Sequence, residues 1–310
     1  MVRDALVDRR RILQAGAALW LGGCAGTRGQ RDAEAVPWGD PSFNVEAMAR
    51  LTATLEPGAQ ARIHYRGKSF AVDPDGRSTP LYALEGLGSL RAERLPSGAV
   101  RFLFAEFAVA CDIGSGVPLL RWRNPLTGDE VDVWHQRNGP VNYTLDPGRA
   151  MFGSFRPADG SAAAPGFRLP WRRDGQRASF AIDVVSDRPN PLLPERWPRE
   201  SSGARLLSSE HSQYFVEVAD LANRTLLSVP FDAALQSLKP WPPWMLMGQR
   251  PGRVYTTLTA RKVDGLTALP PAVATLARAE LGGFVDAPTQ WTGQYITGHE
   301  IYARERQPHG

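Results

Sequence analysis

The chain has 310 residues, with 36 Lys and Arg against 32 Asp and Glu, for a formal net charge of +4. Two of those positive charges fall in the first 23 residues, where Arg3, Arg9, Arg10 and Arg11 stand against Asp4 and Asp8, so the remainder is near neutral and lacks the basic surplus that nucleic acid demands. Only Cys24 and Cys111 occur, which excludes a disulfide framework and leaves stability to packing, for which the length is ample.

In chain order, Asp8-Arg9-Arg10-Arg11-Ile12-Leu13-Gln14 resembles the twin-arginine export signal, with Arg9 and Arg10 as its arginine pair. The apolar stretch that follows, 12–23, is shorter than the roughly 20 residues a membrane-spanning helix needs. Leu21-Gly22-Gly23-Cys24 resembles a bacterial lipobox, in which the cysteine sulfur receives a diacylglycerol. Residues 1–23 are therefore expected to be a signal peptide, and Cys24 the lipidated start of an exported, membrane-anchored, periplasmic or cell-surface protein. Residues 24–40 are rich in Gly, Ala and Arg without periodicity and read as a flexible linker, and 41–310 as a single β-rich domain.

Residues 43–55 carry apolar positions at helical spacing, after which the period changes to two. Strands are expected at 62–72, 81–95, 100–113, 130–137, 178–185, 204–219 and 252–263, punctuated by Asp73-Pro74-Asp75-Gly76, Pro96-Ser97-Gly98 and Asn124-Pro125-Leu126-Thr127-Gly128. A late helix spans 270–281, with Pro in its first turn and Gly282-Gly283 to stop it. Residues 157–170 and 187–202 read as long excursions over one mouth. So many consecutive long strands predict a mainly β fold, an antiparallel barrel-like sheet of lipocalin or calycin type with few short helices, because closure removes exposed edges. The alternative is a two-sheet β-sandwich.

Four segments carry a resemblance: Leu84-Glu85-Gly86; Trp122 through Gly128 with His135 and Asn138-Gly139-Pro140-Val141; Trp244-Met245-Leu246-Met247-Gly248 with Arg250-Pro251-Gly252; and Leu269-Pro270. Together they resemble the bacterial and fungal family known as domain of unknown function 1838, over most of the chain beyond the leader. That resemblance implies no reaction, so chemistry must be sought in the residues.

No phosphate loop, nucleophile elbow, H-E-x-x-H helix or C-x-x-C pair occurs, and no cofactor is called for. Glu106 shares a strand face with Phe102 and Phe104, where burial would raise its pKa and make it a competent base; an arginine partner is the structural alternative. Glu85 follows the same logic beside Leu87, with Gly86 allowing close packing. His135 is the leading histidine for proton transfer, and a satisfied core histidine is its bland counterpart. These three form the candidate catalytic set. Arg123, Asn124, Asn138, Asn142, Trp244 and Met247 are candidate ligand contacts, with the alternatives of turn building for the asparagines and a hydrophobic plug for 241–248. His64, His135, His211 and His299 show no short ligand spacing, so no metal is expected. Two functions follow: an acid/base enzyme of isomerase, lyase or hydratase type acting on a small apolar molecule, or a non-catalytic lipocalin-like carrier of such a molecule. A surface scaffold with a filled interior is a third. Membrane contact is expected only through the lipid on Cys24.

Overall fold

The computed structural model describes residues 36–149 and 166–309; Arg9, Arg10, Cys24, the linker up to residue 35 and residues 157–165 of the first expected excursion lie outside the described residues. Asp40 opens the fold by accepting a hydrogen bond from the Ser42 amide at 2.8 Å, and with Pro41 in the first turn it starts helix α1 (Pro41–Thr52). The strands that follow are β1 (Ala61–Val72), β2 (Ser78–Arg94), β3 (Val100–Cys111), β4 (Arg121–Arg123), β5 (Glu130–Asp132), β6 (Gln136–Leu145), β7 (Arg172–Asp174), β8 (Arg177–Pro189) and β9 (Arg205–Glu217). Helix α2 (Val218–Ala222), strands β10 (Asp232–Lys239) and β11 (Arg253–Val263), and helices α3 (Pro271–Glu280) and α4 (Gly298–Glu305) complete the order.

Nine strands form one antiparallel sheet in the order β6, β3, β2, β1, β11, β10, β9, β8, β7, curled strongly into a half-barrel. The fold is thus mainly β as expected, and it is a single curled sheet with one small β4–β5 hairpin rather than a two-sheet sandwich. Its edges are managed without closure. Along β6 the chain returns, with the Gly139 and Ile296 amides donating to Ile296 O and Pro140 O at 3.0 Å each, and the Asn142 amide to Gln294 O at 2.8 Å. At the other end β7 is three exposed charged residues, too short and too polar to recruit another strand.

Among the elements that differ from expectation, two do so for local reasons. Strand β10 reads Asp-Ala-Ala-Leu-Gln-Ser-Leu-Lys, with no β-branched or aromatic residue, and is a strand because β9 and β11 pair with it on both sides. The expected strand at 130–137 breaks after Asp132, and His135 falls in the connection to β6.

Three apolar clusters define the layers. At one end of the concave face, α1 sets Val45, Met48 and Leu51 against Phe102, Phe180, Val216, Ala233 and Ala260, sealing that mouth. Each such fully buried aliphatic side chain is worth about 1.5–3 kcal/mol. At the other end Tyr82 and Ala110 meet Trp122, Val131, Trp241, Trp244, Met245 and Met247, so 241–248 is a hydrophobic plug. On the convex face α3 packs Val273, Ala274 and Ala277 on Leu87, Phe107, Val109 and Cys111. Both faces of β2 and β3 are therefore covered.

Candidate functional site

Between the two plugs, the concave face carries polar side chains. Glu106 follows Phe102 and Phe104 on the inward side of β3 and is paired with Asn138 of β6. The register shifts between Phe104 and Glu106, because β6 holds one residue more than β3 there. Gly139 takes that place with φ of 136°, a conformation that suits glycine, and the bulge turns Asn138 inward. Asn138 Nδ2 then donates to Glu106 Oε1 at 2.5 Å, while its Oδ1 accepts from the Gly298 amide at 2.6 Å. From β1, the Tyr65 ring crosses Gly86 of β2, where a methyl group would overlap the ring and stand 2.7 Å from Phe107 O. Its hydroxyl donates to Phe107 O at 2.8 Å and lies 3.2 Å from Glu106 Oε2.

Opposite this group, Lys239 of β10 and Glu210 of β9 form an ion pair at 3.0 Å with 43% and 45% of their side chains accessible. Arg188 of β8 lies on the same inward face as Phe180 and Ile182, and Tyr295 and His299 approach from the segment that covers β6. The electrostatics tie these residues into one space. Burial raises the Glu106 carboxyl above its ordinary value, opposed by the Asn138 hydrogen bond and the charge of Lys239. Burial, and next the charge of Glu106, lifts the Tyr65 hydroxyl well above the usual phenol range. For Lys239 burial works against the ammonium, yet the charge and hydrogen bond of Glu210 outweigh it and raise its pKa. Lys239 in turn lowers Glu210. His299 is pushed down to about 3 by burial, Arg188 and Lys239, so it is neutral. Lys239, with 43% of its side chain accessible, and Tyr295, 65% accessible, leave this part of the concave face, here called the recess, open to water among the described residues. Among the described residues no arginine pairs with Glu106; a phenol and an amide hold it instead.

Of the expected site residues, the structure joins Glu106 to Asn138 on the concave face, and it gathers Asn124, Trp244 and Met247 separately in the hydrophobic plug. Glu85 lies on the convex face, where His64 Nε2 bonds its Oε2 at 2.6 Å. His135 is 4% exposed; its Nδ1 accepts from the Ala110 amide at 3.3 Å and its Nε2 is buried without a partner among the described residues. Ala110 lies four residues along β3 from Glu106, roughly 13 Å at the usual strand rise, so His135 makes no pair with Glu106, and none with Glu85. Burial and Arg137 push the His135 imidazole down to about 4. Arg123 is exposed on the β4–β5 hairpin. Asn124 builds its turn by accepting from the Leu126 amide and donates to Met245 O at 3.2 Å, tying the turn to the tryptophan plug. Asn142 accepts from Thr292 and Gly293 and anchors the covering segment. Trp244 and Met247 are buried in the plug, beside a small cleft of about 40 Å³ between Trp134, Trp244 and Tyr302. His211 pairs with Asp183 on the surface, and His309 binds the buried Glu200 at 2.7 Å. Among the described residues no three His, Cys, Asp or Glu side chains are grouped to hold a metal.

Tyr65, Arg188, Glu210 and Lys239 escaped the sequence reading. The alternation of Glu210 with Tyr214 and Val216 on β9 was an available signal, whereas Lys239 stands on the unexpected β10 and Arg188 in what reads as a loop.

A search of curated proteins finds no match to this chain. A solved structure titled "Asymmetric conductivity of engineered proteins" is similar over 66% of this chain and 99% of its own, at 7% identity and a TM-score of 0.16, too low to carry an argument. The family model described as protein of unknown function (DUF1838) matches residues 58–305, and this half-barrel chain belongs to that family.

Proposed function

We propose that the concave recess is a proton-transfer site, with Glu106 as the acid/base that takes a proton from carbon in a bound small molecule and returns it to a neighbouring carbon. The observation that supports this is the Glu106 carboxyl, raised by burial, held by Tyr65 and Asn138 and without an arginine partner among the described residues. A carboxylate whose pKa is raised is a stronger base than an ordinary one. In an isomerisation of this kind the electron pair of the broken C–H bond passes to an adjacent carbonyl oxygen and back, so no co-reactant is consumed. Phe104 and Tyr143 border the recess and suit an apolar substrate body. The twin-arginine and lipobox residues, Arg9, Arg10 and Cys24, support placing this chemistry on a membrane outside the cytoplasm.

The test is proton exchange in D2O, followed by NMR on a panel of enolisable and β,γ-unsaturated ketones. The wild-type protein is expected to incorporate deuterium at least about a hundredfold faster than Glu106→Gln. Exchange no faster than buffer, or equal in the variant, overturns the proposal, and retained ligand binding beside equal exchange favours the carrier.

A further inference from the structure

The wall of the recess facing Glu106 carries an uneven set of charges. Lys239 and Glu210 neutralise one another at 3.0 Å. Arg188 acts on Glu210 as a charge without contact: its guanidinium makes no hydrogen bond or ion pair among the described residues, although the strand alternation that buries Phe180 and Ile182 turns it inward. It is half-buried, and Ser186, the previous inward residue of β8, already holds Ser208 at 2.8 Å across the strand pair. His299, in the first turn of α4, also makes no side-chain hydrogen bond among the described residues, and burial, followed by the cations Arg188 and Lys239, keeps its ring neutral, leaving one N–H to donate. An inward guanidinium with five donors and no partner among the described residues has the chemistry to receive an anion.

We propose that Arg188 receives the carboxylate of the recess's small-molecule ligand through its bidentate fork, with the His299 ring as a further N–H donor, so that the substrate is a small carboxylic acid lying with its reactive carbon toward Glu106. This rests on the reading of the recess as a ligand site. A carboxylate fits better than a phosphate dianion, because the second cation, Lys239, is already neutralised by Glu210.

The test uses 19F NMR titration with two probes of equal shape, 4-fluorobenzoate and 4-fluorobenzamide, on the wild-type chain, Arg188→Gln and Arg188→Lys. Wild type is expected to bind the carboxylate more tightly than the amide. Arg188→Gln should lose about thirtyfold in carboxylate affinity, the range of a charged hydrogen bond, with amide binding unmoved. Arg188→Lys, which keeps charge and loses the fork, should fall between the two and serves if the Gln variant does not fold. Inorganic phosphate should displace the probe less well than acetate. Failure of wild type to bind the carboxylate, an amide bound as tightly, an unchanged affinity in both variants, or stronger displacement by phosphate overturns the proposal. The readout needs no turnover, so carboxylate preference without deuterium exchange would sink the role of Glu106 alone, and exchange without carboxylate preference would sink that of Arg188 alone.

Discussion

Glu85 and Glu106 stand on neighbouring strands, each among apolar residues in alternation, and the half-barrel treats them in opposite ways. Glu85 is turned to the convex side and locked to His64 at 2.6 Å, with side-chain exposures of 16% and 7%. Glu106 is turned to the concave side, where it meets a phenol, an amide and water-reachable space. The first carboxylate has its partner within the fold and has nothing left to offer a ligand. The second is held in position by neutral donors and has no ion-pair partner among the described residues, which is a condition that suits chemistry. Residue type and burial are shared; the face of the sheet makes the difference.

The largest expected effect sharpens that contrast. Glu106→Gln should lower deuterium exchange by a hundredfold or more and leave the fold intact, whereas Glu85→Ala should keep exchange within about threefold and cost about 2 kcal/mol of stability by orphaning buried His64. The pH dependence carries the same sign. A carboxyl with a raised folded-state pKa stabilises the fold below the ordinary carboxylate range and loses that contribution as pH rises through the raised value. The melting temperature of Glu106→Gln relative to wild type, followed by calorimetry, should therefore climb as pH rises from the ordinary carboxylate range through the raised value. A variant that loses stability in that direction would contradict the site's electrostatics. Gly86→Ala tests the support beneath the site: its methyl group meets the Tyr65 ring and the Phe107 carbonyl, so a loss of about 3 kcal/mol is expected in denaturant unfolding, against less than about 1 kcal/mol for Gly283→Ala, which has nothing within 4 Å.

Much of the frame was legible. Period-two alternation located β1, β2, β3, β9 and β11, and Pro with Gly-Gly located α3. Alternation also placed Glu106 with Phe102 and Phe104. It could not say which face was concave, because α3 covers the convex face of β2 and makes Leu87 as apolar as any inward residue; hence Glu85 looked equivalent to Glu106. Asn138 entered the site through a bulge, and a bulge reverses parity without a strong sequence mark beyond Gly139-Pro140. His135 was read by the parity of a strand that ends at Asp132. Lys239 was hidden because β10 owes its conformation to two neighbours rather than to its own residues.

His135 supplies the next test, as a buried histidine outside the recess. Its pKa of about 4 against 6.5 means the folded chain prefers the neutral ring, so stability present above pH 6.5 is lost as pH falls toward 4. The shift corresponds to about 3 kcal/mol. His135→Gln, whose side-chain oxygen can still accept the Ala110 amide, should flatten that part of the acid limb in urea titrations at successive pH values, with deuterium exchange unchanged. An acid limb identical to wild type would mean the ring is not the proton-binding group.

The smallest effect returns to a carboxylate and a histidine. Asp183 and His211 meet at 2.6 Å, the separation of Glu85 and His64, but with 62% and 42% of their side chains exposed. Water screens that pair and solvates either partner once the other is removed, so Asp183→Ala should change stability by no more than about 0.5 kcal/mol. Glu85→Ala strands a ring that water does not reach, and the same truncation costs several times more. Equal losses for the two variants in chemical denaturation would show that the short contact itself, and not the face and depth at which the sheet places it, sets what a carboxylate contributes to this fold.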